Sequence, residues 1–274
     1  MGQQSGKTQT IGMRRYDDAD TVAREIVART GGTIRLALPL GLGKPVSLAN
    51  ARVRLACEDP RIDLSIFTAL TLERPAPGTR IERRFLEPAM DRLFGAYPPL
   101  RYAELLRQGE LPGNITVNEF FFLAGRWTRV PRAQQDFISV NYTQALGLLA
   151  RQLRPNVLAQ LVAEQHGRFS LSGNTDISAD LFRLRRNGAL DFLAVAETHP
   201  ELPFFAGRDA ALDPEEFALV LGRSGDYELF SAPKRPVDDA SHAIGLHVAR
   251  LIDDGGTLQI GIGSAGPTPR SSPR

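Results

Sequence analysis

Apolar positions along the chain switch repeatedly between a helical and a strand period. From Asp18, the residues Val22, Ile26 and Val27 fall on one face of a helix, which Gly31-Gly32 brings to a stop. Residues 33–38 then read as a strand, and Pro45 is placed to start a helix over 46–57. A second strand is predicted over 62–70. Residues 73–112 differ in texture: they are charged and broken by prolines, with short helices at 81–93 and 100–108, and read as an excursion over the first sheet. Strand character returns at 115–123 and 136–140, followed by a helix over 144–153 and a strand over 156–163. A loop or hairpin at 167–176, a helix at 177–186, strands at 190–196 and 217–221, and a helix at 244–252 complete the series. Strands alternating with helices of similar size predict an α/β fold with a largely parallel open sheet and helices on both faces.

One pattern recurs. Gly31-Gly32-Thr33 follows the first helix, and Gly255-Gly256-Thr257 follows the last. Each leads into an apolar strand and a Gly-x-Gly step, Gly41/Gly43 in one copy and Gly261/Gly263 in the other. The shared order of helix, turn, strand and glycines predicts a duplicated topology. Residues 1–17 then form a flexible lead-in and 18–239 a first domain. Residues 240–263 open a second, similar domain, and 264–274 form a separate tail rich in Gly, Pro, Ser and Arg.

Charge narrows the classes little. A formal net charge of +2 gives no electrostatic case for nucleic acid. Lysine stands only at Lys7, Lys44 and Lys234, so arginine supplies nearly all the basic residues, a skew expected of GC-rich coding DNA. The single Cys57 excludes an internal disulfide and a multi-cysteine metal site. The N-terminus carries no apolar leader and no apolar run reaches about 18 residues, so a cytoplasmic protein without a membrane partner is expected.

Few stretches could carry chemistry. Gly41-Leu42-Gly43-Lys44-Pro45 has the wrong spacing for a phosphate loop, and its proline removes a donor beside the lysine. A dinucleotide fingerprint would need a third glycine. Two readings stay open: a tight strand-to-helix turn, or a backbone surface that a ligand approaches closely. His166 and His199 read as surface loop residues, and His242 and His247 have the wrong spacing for one metal face. Glu215-Glu216 after Asp213-Pro214 read as a helix start, and Arg183, Arg185 and Arg186 as a solvated helix face. Glu119, within Asn118-Glu119-Phe120-Phe121-Phe122, is either a functional carboxylate or a hydrogen-bonded structural one.

Taken in order, several stretches resemble the acetyl-CoA hydrolase/CoA-transferase family, which includes the 4-hydroxybutyrate and succinyl-CoA:acetate transferases. They are Gly31-Gly32-Thr33 through Gly41-Leu42-Gly43-Lys44-Pro45, Ile138-Ser139-Val140-Asn141-Tyr142-Thr143 and Asn156-Val157-Leu158-Ala159-Gln160-Leu161. To these add Gly167-Arg168-Phe169-Ser170-Leu171-Ser172-Gly173-Asn174-Thr175-Asp176 and Ala243-Ile244-Gly245 through Asp254 to Gly263. The resemblance implies a glutamate that attacks an acyl-CoA thioester and becomes a glutamyl-CoA thioester. A carboxylic acid then accepts the CoA in a transferase, and water replaces it in a hydrolase. It also implies that Gly261, Ile262, Gly263, Ser264 and Ala265 lie against CoA, while Gly41, Gly43 and Pro45 line the opposite side of the cleft. Coenzyme A enters as substrate, and neither a permanently bound cofactor nor a metal is implied.

This chain departs from the family pattern in two places. Leu38-Pro39-Leu40 stands where the family has a Gly-Gly-Phe-like step. The family's second Gly-x-Gly is followed by Ile-Pro, a helix and a nucleophile-bearing segment, whereas here the match stops after Ser264. A truncation or frameshift near Ser264 is therefore expected, with the closing strand exposing an edge that favours self-association. Two functional readings follow. The chain is a CoA-transferase or hydrolase using Glu119, a homo-oligomeric partner or a complementing subunit; or it is an inactive remnant or CoA-binding module.

Overall fold

The computed structural model describes residues 12–75, 77–123, 125–222, 227–230 and 237–259. Its Cα positions divide into two compact units, Met1–Phe230 and Ser231–Arg274.

The first unit is built on a nine-stranded sheet whose main path runs β1-β9-β7-β5-β2-β3-β4. Its strands are β1 (Arg14–Tyr16), β2 (Thr33–Ala37), β3 (Asp63–Thr68), β4 (Ile115–Glu119), β5 (Val157–Gln165), β7 (Leu193–Thr198) and β9 (Leu219–Leu221). Every ladder on this path is parallel. Two short strands, β6 (Arg168–Ser170) and β8 (Ala211–Leu212), extend from β5 in antiparallel pairing. The turn into β6 places His166 at positive φ, followed by Gly167.

Apolar side chains of these strands alternate between two cores, as a sheet covered on both faces requires. Ile34, Leu36, Leu64, Ile66, Ile115 and Val117 join α1 (Ala19–Thr30), α2 (Val46–Glu58) and α4 (Arg101–Gln108) on one side. Ala37, Phe67, Leu158, Val162, Ala194 and Val220 join α6 (Tyr142–Leu148) and α7 (Asp176–Arg186) on the other. The caps follow the sequence: the Asp18 carboxylate accepts the Thr21 N–H at 2.7 Å, and Gly31 ends α1 in the left-handed conformation.

Several expectations need correction. Residues 14–16 of the expected lead-in are a strand, held by parallel pairing to β9. No strand forms over 136–140; that segment instead crosses the end of β4, where the Ile138 N–H donates to the Glu119 carbonyl at 3.0 Å. The strand expected over 115–123 stops at Glu119. Within the excursion, α3 (Arg80–Phe94) buries no side chain, whereas α4 places Tyr102, Ala103, Leu105 and Leu106 in the core. A short helix, α5 (Pro131–Gln135), follows β4.

In the second unit, α8 spans Asp239–Ala249, and its first turn is capped by the Asp238 carboxylate on the Ser241 N–H. Gly255 takes a positive φ, as Gly31 does, but residues 257–259 form no strand. The remainder of the expected closing strand lies outside the described residues.

Candidate functional site

Strand order defines where a ligand would meet this sheet. From β2 the chain proceeds outward through β3 and β4, while β5, β7 and β9 proceed in the opposite direction. The order therefore reverses between β2 and β5, and the crevice at the carboxyl ends of such strands is the general ligand position in open α/β sheets. Only Leu36 and Ala37 of β2 pair with β5, so β5 runs on past the end of β2. Into that space the chain turns through Leu38-Pro39-Leu40 and a 3₁₀ turn at Gly41–Gly43.

The two glycines have separate structural reasons. Gly41 has φ +52°, a conformation that disfavours any side chain. At Gly43, a Cβ would overlap the carboxamide of Asn174, which donates to the Leu40 carbonyl at 3.1 Å. The turn engages the N–H groups of Gly43 and Lys44 internally, on the carbonyls of Leu40 and Gly41. No acceptor is found for those of Gly41 and Leu42 among the described residues. Across the crevice, Ser178 of α7 donates to the Gln160 side chain at 2.8 Å, leaving the buried Gln160 amide nitrogen without a partner. Burial pushes the Asp176 carboxyl, at the start of α7, above the ordinary carboxylate range.

Pro45 is the N-cap of α2 and offers no side-chain cap. That helix end presents no free anion site, because Glu197 at the end of β7 accepts the N–H groups of Ser47 and Leu48 at 3.4 and 3.0 Å. Tyr227 adds its hydroxyl at 3.1 Å. Glu197 is fully buried, and desolvation pushes its pKa up despite these donors. Near it, Arg52 is buried with three guanidinium nitrogens unpartnered, and its pKa falls to about 9, driven by burial and opposed by Glu197.

Lys44, the lysine of the turn, points inward. Its ammonium donates to the carbonyls of Ala69 and Leu70 at 2.6 and 3.2 Å, and Leu70 has a positive φ of 49°. Full burial pushes its pKa down to about 7, opposed by the charge of Glu119. Glu119 is 1% exposed, accepts the hydroxyl of Thr71 through one oxygen and, among the described residues, has no partner for the other. Burial pushes its pKa up, opposed by Lys44. The Thr71 hydroxyl also meets that of Tyr102 at 2.8 Å. No direct ion pair joins Lys44 to Glu119 among the described residues.

The structure thus brings Gly41, Gly43, Pro45 and Glu119 to one end of the sheet. Gly261, Ile262, Gly263, Ser264 and Ala265 lie outside the described residues. The sequence pattern assigns no individual role to Asn174, Gln160 or Glu197 and reads Lys44 only against a phosphate loop; a polar residue inside an apolar strand run is the available signal for Gln160 and Glu197. Two surface assignments change. His199 is buried, with Nε2 3.0 Å from the Tyr227 carbonyl. Arg185 and Arg186 pair with Glu216, the latter at 2.6 Å, because α7 packs beside the 3₁₀ turn Pro214–Glu216. Among the described residues, no cluster of metal-ligating side chains occurs, and no helix is long and apolar enough to cross a membrane.

No family model and no curated protein matches the chain. Solved structures do match it. RipA from Yersinia pestis aligns over 93% of this chain and 51% of its own, at 20% identity and a TM-score of 0.59. A 4-hydroxybutyrate CoA-transferase from Porphyromonas gingivalis aligns over 93% and 49%, at 16% identity and a TM-score of 0.50. The fold is therefore CoA-transferase-like, and the chain spans about half the length of the structures it matches.

Proposed function

We propose that this chain forms one wall of an acyl-CoA site and takes part in CoA transfer from an acyl-CoA to a carboxylic acid, or in hydrolysis where water replaces the acid. The observation that carries the reading is the Gly41–Gly43 turn at the reversal point of a CoA-transferase-like sheet. Its N–H groups on Gly41 and Leu42, without acceptors among the described residues, suit a thioester carbonyl whose oxygen gains charge as a nucleophile adds. The Gly43–Asn174 contact holds the turn in place for that role.

In this reaction a glutamate carboxylate attacks the thioester carbon and expels CoA thiolate, which then attacks the glutamyl carbonyl of the mixed anhydride, releasing the acyl group as its carboxylate and leaving a glutamyl-CoA thioester for the acceptor acid or water to take up. Gly261 through Ala265 would lie against CoA. Glu197, at the end of β7, is engaged by the N–H groups of Ser47 and Leu48, which leaves Glu119, at the end of β4, as the candidate in this chain. Its burial beneath Thr71 favours a second reading, a CoA-binding module whose nucleophile comes from a second copy or another subunit.

Purified chain incubated with acetyl-CoA, with and without a carboxylic acid, separates the two. Release of thiol or exchange of CoA that Glu119→Gln abolishes supports catalysis by this chain. Binding of CoA without turnover supports the module. No binding of CoA or its thioesters overturns both.

A further inference from the structure

Immediately after Glu119 the chain leaves the sheet through Phe120, Phe121 and Phe122, which with Trp127 and Phe137 line an apolar cavity of about 450 Å³ that is open to solvent on one side. That volume lies in the range of small-molecule sites, roughly 300–1,000 Å³. Three of its rings stand in a near-parallel series: Phe122 lies 5.3 Å from Trp127 at 30° and 5.3 Å from Phe137 at 27°. Trp127 is held from outside the cavity by the Arg107 guanidinium, 4.1 Å from its ring centre, which Glu73 in turn fixes at 2.8 Å. Such a series accepts another flat ring at low cost in ordering.

The polar groups at the wall restrict the ligand further. Thr128 uses its hydroxyl proton on the Gly125 carbonyl, and Gln134 uses its amide on the Thr128 carbonyl, so what each has left to offer a ligand is mainly an acceptor oxygen. No lysine, arginine or histidine lines the cavity. A second carboxylate on the ligand would be left without a partner there. Phe120 stands between this cavity and the crevice beside Leu38-Pro39-Leu40, lining both, and its ring stacks on Phe67 at the end of β3, 5.5 Å away.

We infer that this cavity receives the acyl group of the substrate and that the group is aromatic and uncharged. This rests on the reading of the chain as an acyl-CoA protein, and it names the substrate class of that site. Acetyl would leave most of the roughly 450 Å³ unfilled, and a dicarboxylic acyl group carries a charge that the lining does not match.

Trp127 is the chain's sole tryptophan and reports on its own cavity. Its fluorescence should be titrated on the full chain with phenylacetyl-CoA, acetyl-CoA, succinyl-CoA and CoA. The expected result is at least tenfold tighter binding of phenylacetyl-CoA than of the other thioesters, with quenching of Trp127. Phe137→Ala, at a position 39% exposed, should cut that preference to threefold or less, whereas Phe205→Ala, at an exposed ring outside the cavity, should keep it. Thermal melting of each variant verifies the fold. Equal affinities for the three thioesters, with CoA still bound, overturn the inference and leave the acyl-CoA reading standing. If CoA and all thioesters fail to bind, that reading falls. Phenylacetate alone then decides for the cavity: quenching lost in Phe137→Ala sustains it as an aromatic site, and no quenching overturns it.

Discussion

At Lys44 a cationic side chain is taken wholly out of water and set against two carbonyls and a distant carboxylate. Burial lowers its pKa to about 7, whereas an unfolded lysine titrates near roughly 10.4. Between those values the unfolded chain binds a proton that the folded chain has released, so stability rises with pH across that window. Glu119 acts with the opposite sign: its pKa is raised by burial, so stability is lost as pH climbs through its folded value. Removing Lys44 lifts Glu119 further, which widens the difference between the two proteins. We expect wild type to gain about 2 kcal/mol on Lys44→Met between pH 7 and pH 9. Urea unfolding at the two pH values measures it, and parallel changes in both proteins would show that Lys44 does not titrate there. None of this was legible in Gly-Leu-Gly-Lys-Pro, where the lysine registers only as a failed phosphate loop. Its acceptors, Ala69 and Leu70, come from a turn beyond β3, and local pattern carries no trace of them. His199 was misplaced for the same reason, since Tyr227 covers it from far along the chain.

At the scale of elements, the apolar period located most helices and strands but not which of them pack. The charged helices α3 and α4 look alike in sequence, yet α4 is anchored through Tyr102 and Leu105 while α3 leaves Ile81 and Phe85 81% exposed. Helix α3 has a complete capping box between Thr79 and Glu82, and also a proline, Pro88, that removes an interior donor. A helix with no buried side chain, tied to the rest only through Phe94 on Phe230 and Asp91 on Arg74 among the described residues, opens locally, well below the free energy of global unfolding. Amides of residues 80–94 should therefore exchange at least roughly a hundredfold faster than those of β5, which pairs with β7 from Val157 to Val162 and is buried from Val157 to Ala163. Hydrogen exchange with mass spectrometry reads both peptides in one experiment, and equal protection would mean that α3 unfolds only with the sheet. The strand boundary at Glu119 was lost to the same ambiguity. Phe120, Phe121 and Phe122 prolong the apolar run of β4, and a run of that kind does not say whether it enters a sheet or lines a cavity.

Across the whole molecule, alternation of strand and helix was enough for an α/β class with a parallel sheet, because covering both faces demands apolar residues in every strand. The reversal between β2 and β5, which positions the candidate site, depends on pairings more than a hundred residues apart, such as Leu36 with Val157. No short-range pattern encodes it. Those long-range pairings also say which part of the chain carries its stability. Both apolar cores are drawn from residues up to Tyr227, and both lie in the unit that ends at Phe230. In the second unit, α8 buries only Ser241 and leaves Ile244 and Leu246 exposed, so it adds little apolar burial of its own. A chain ending at Phe230 should thus unfold in one cooperative transition, with a midpoint within about 3 °C of the full chain, since a loss of 1 kcal/mol moves Tm by only about 2–4 °C at this size. It should also aggregate less on heating, because the exposed apolar positions of α8 are gone. Circular dichroism and light scattering during the same thermal scan test both points. Loss of the cooperative transition would place part of the folding energy in residues 231–274, and the sheet could no longer be regarded as self-sufficient.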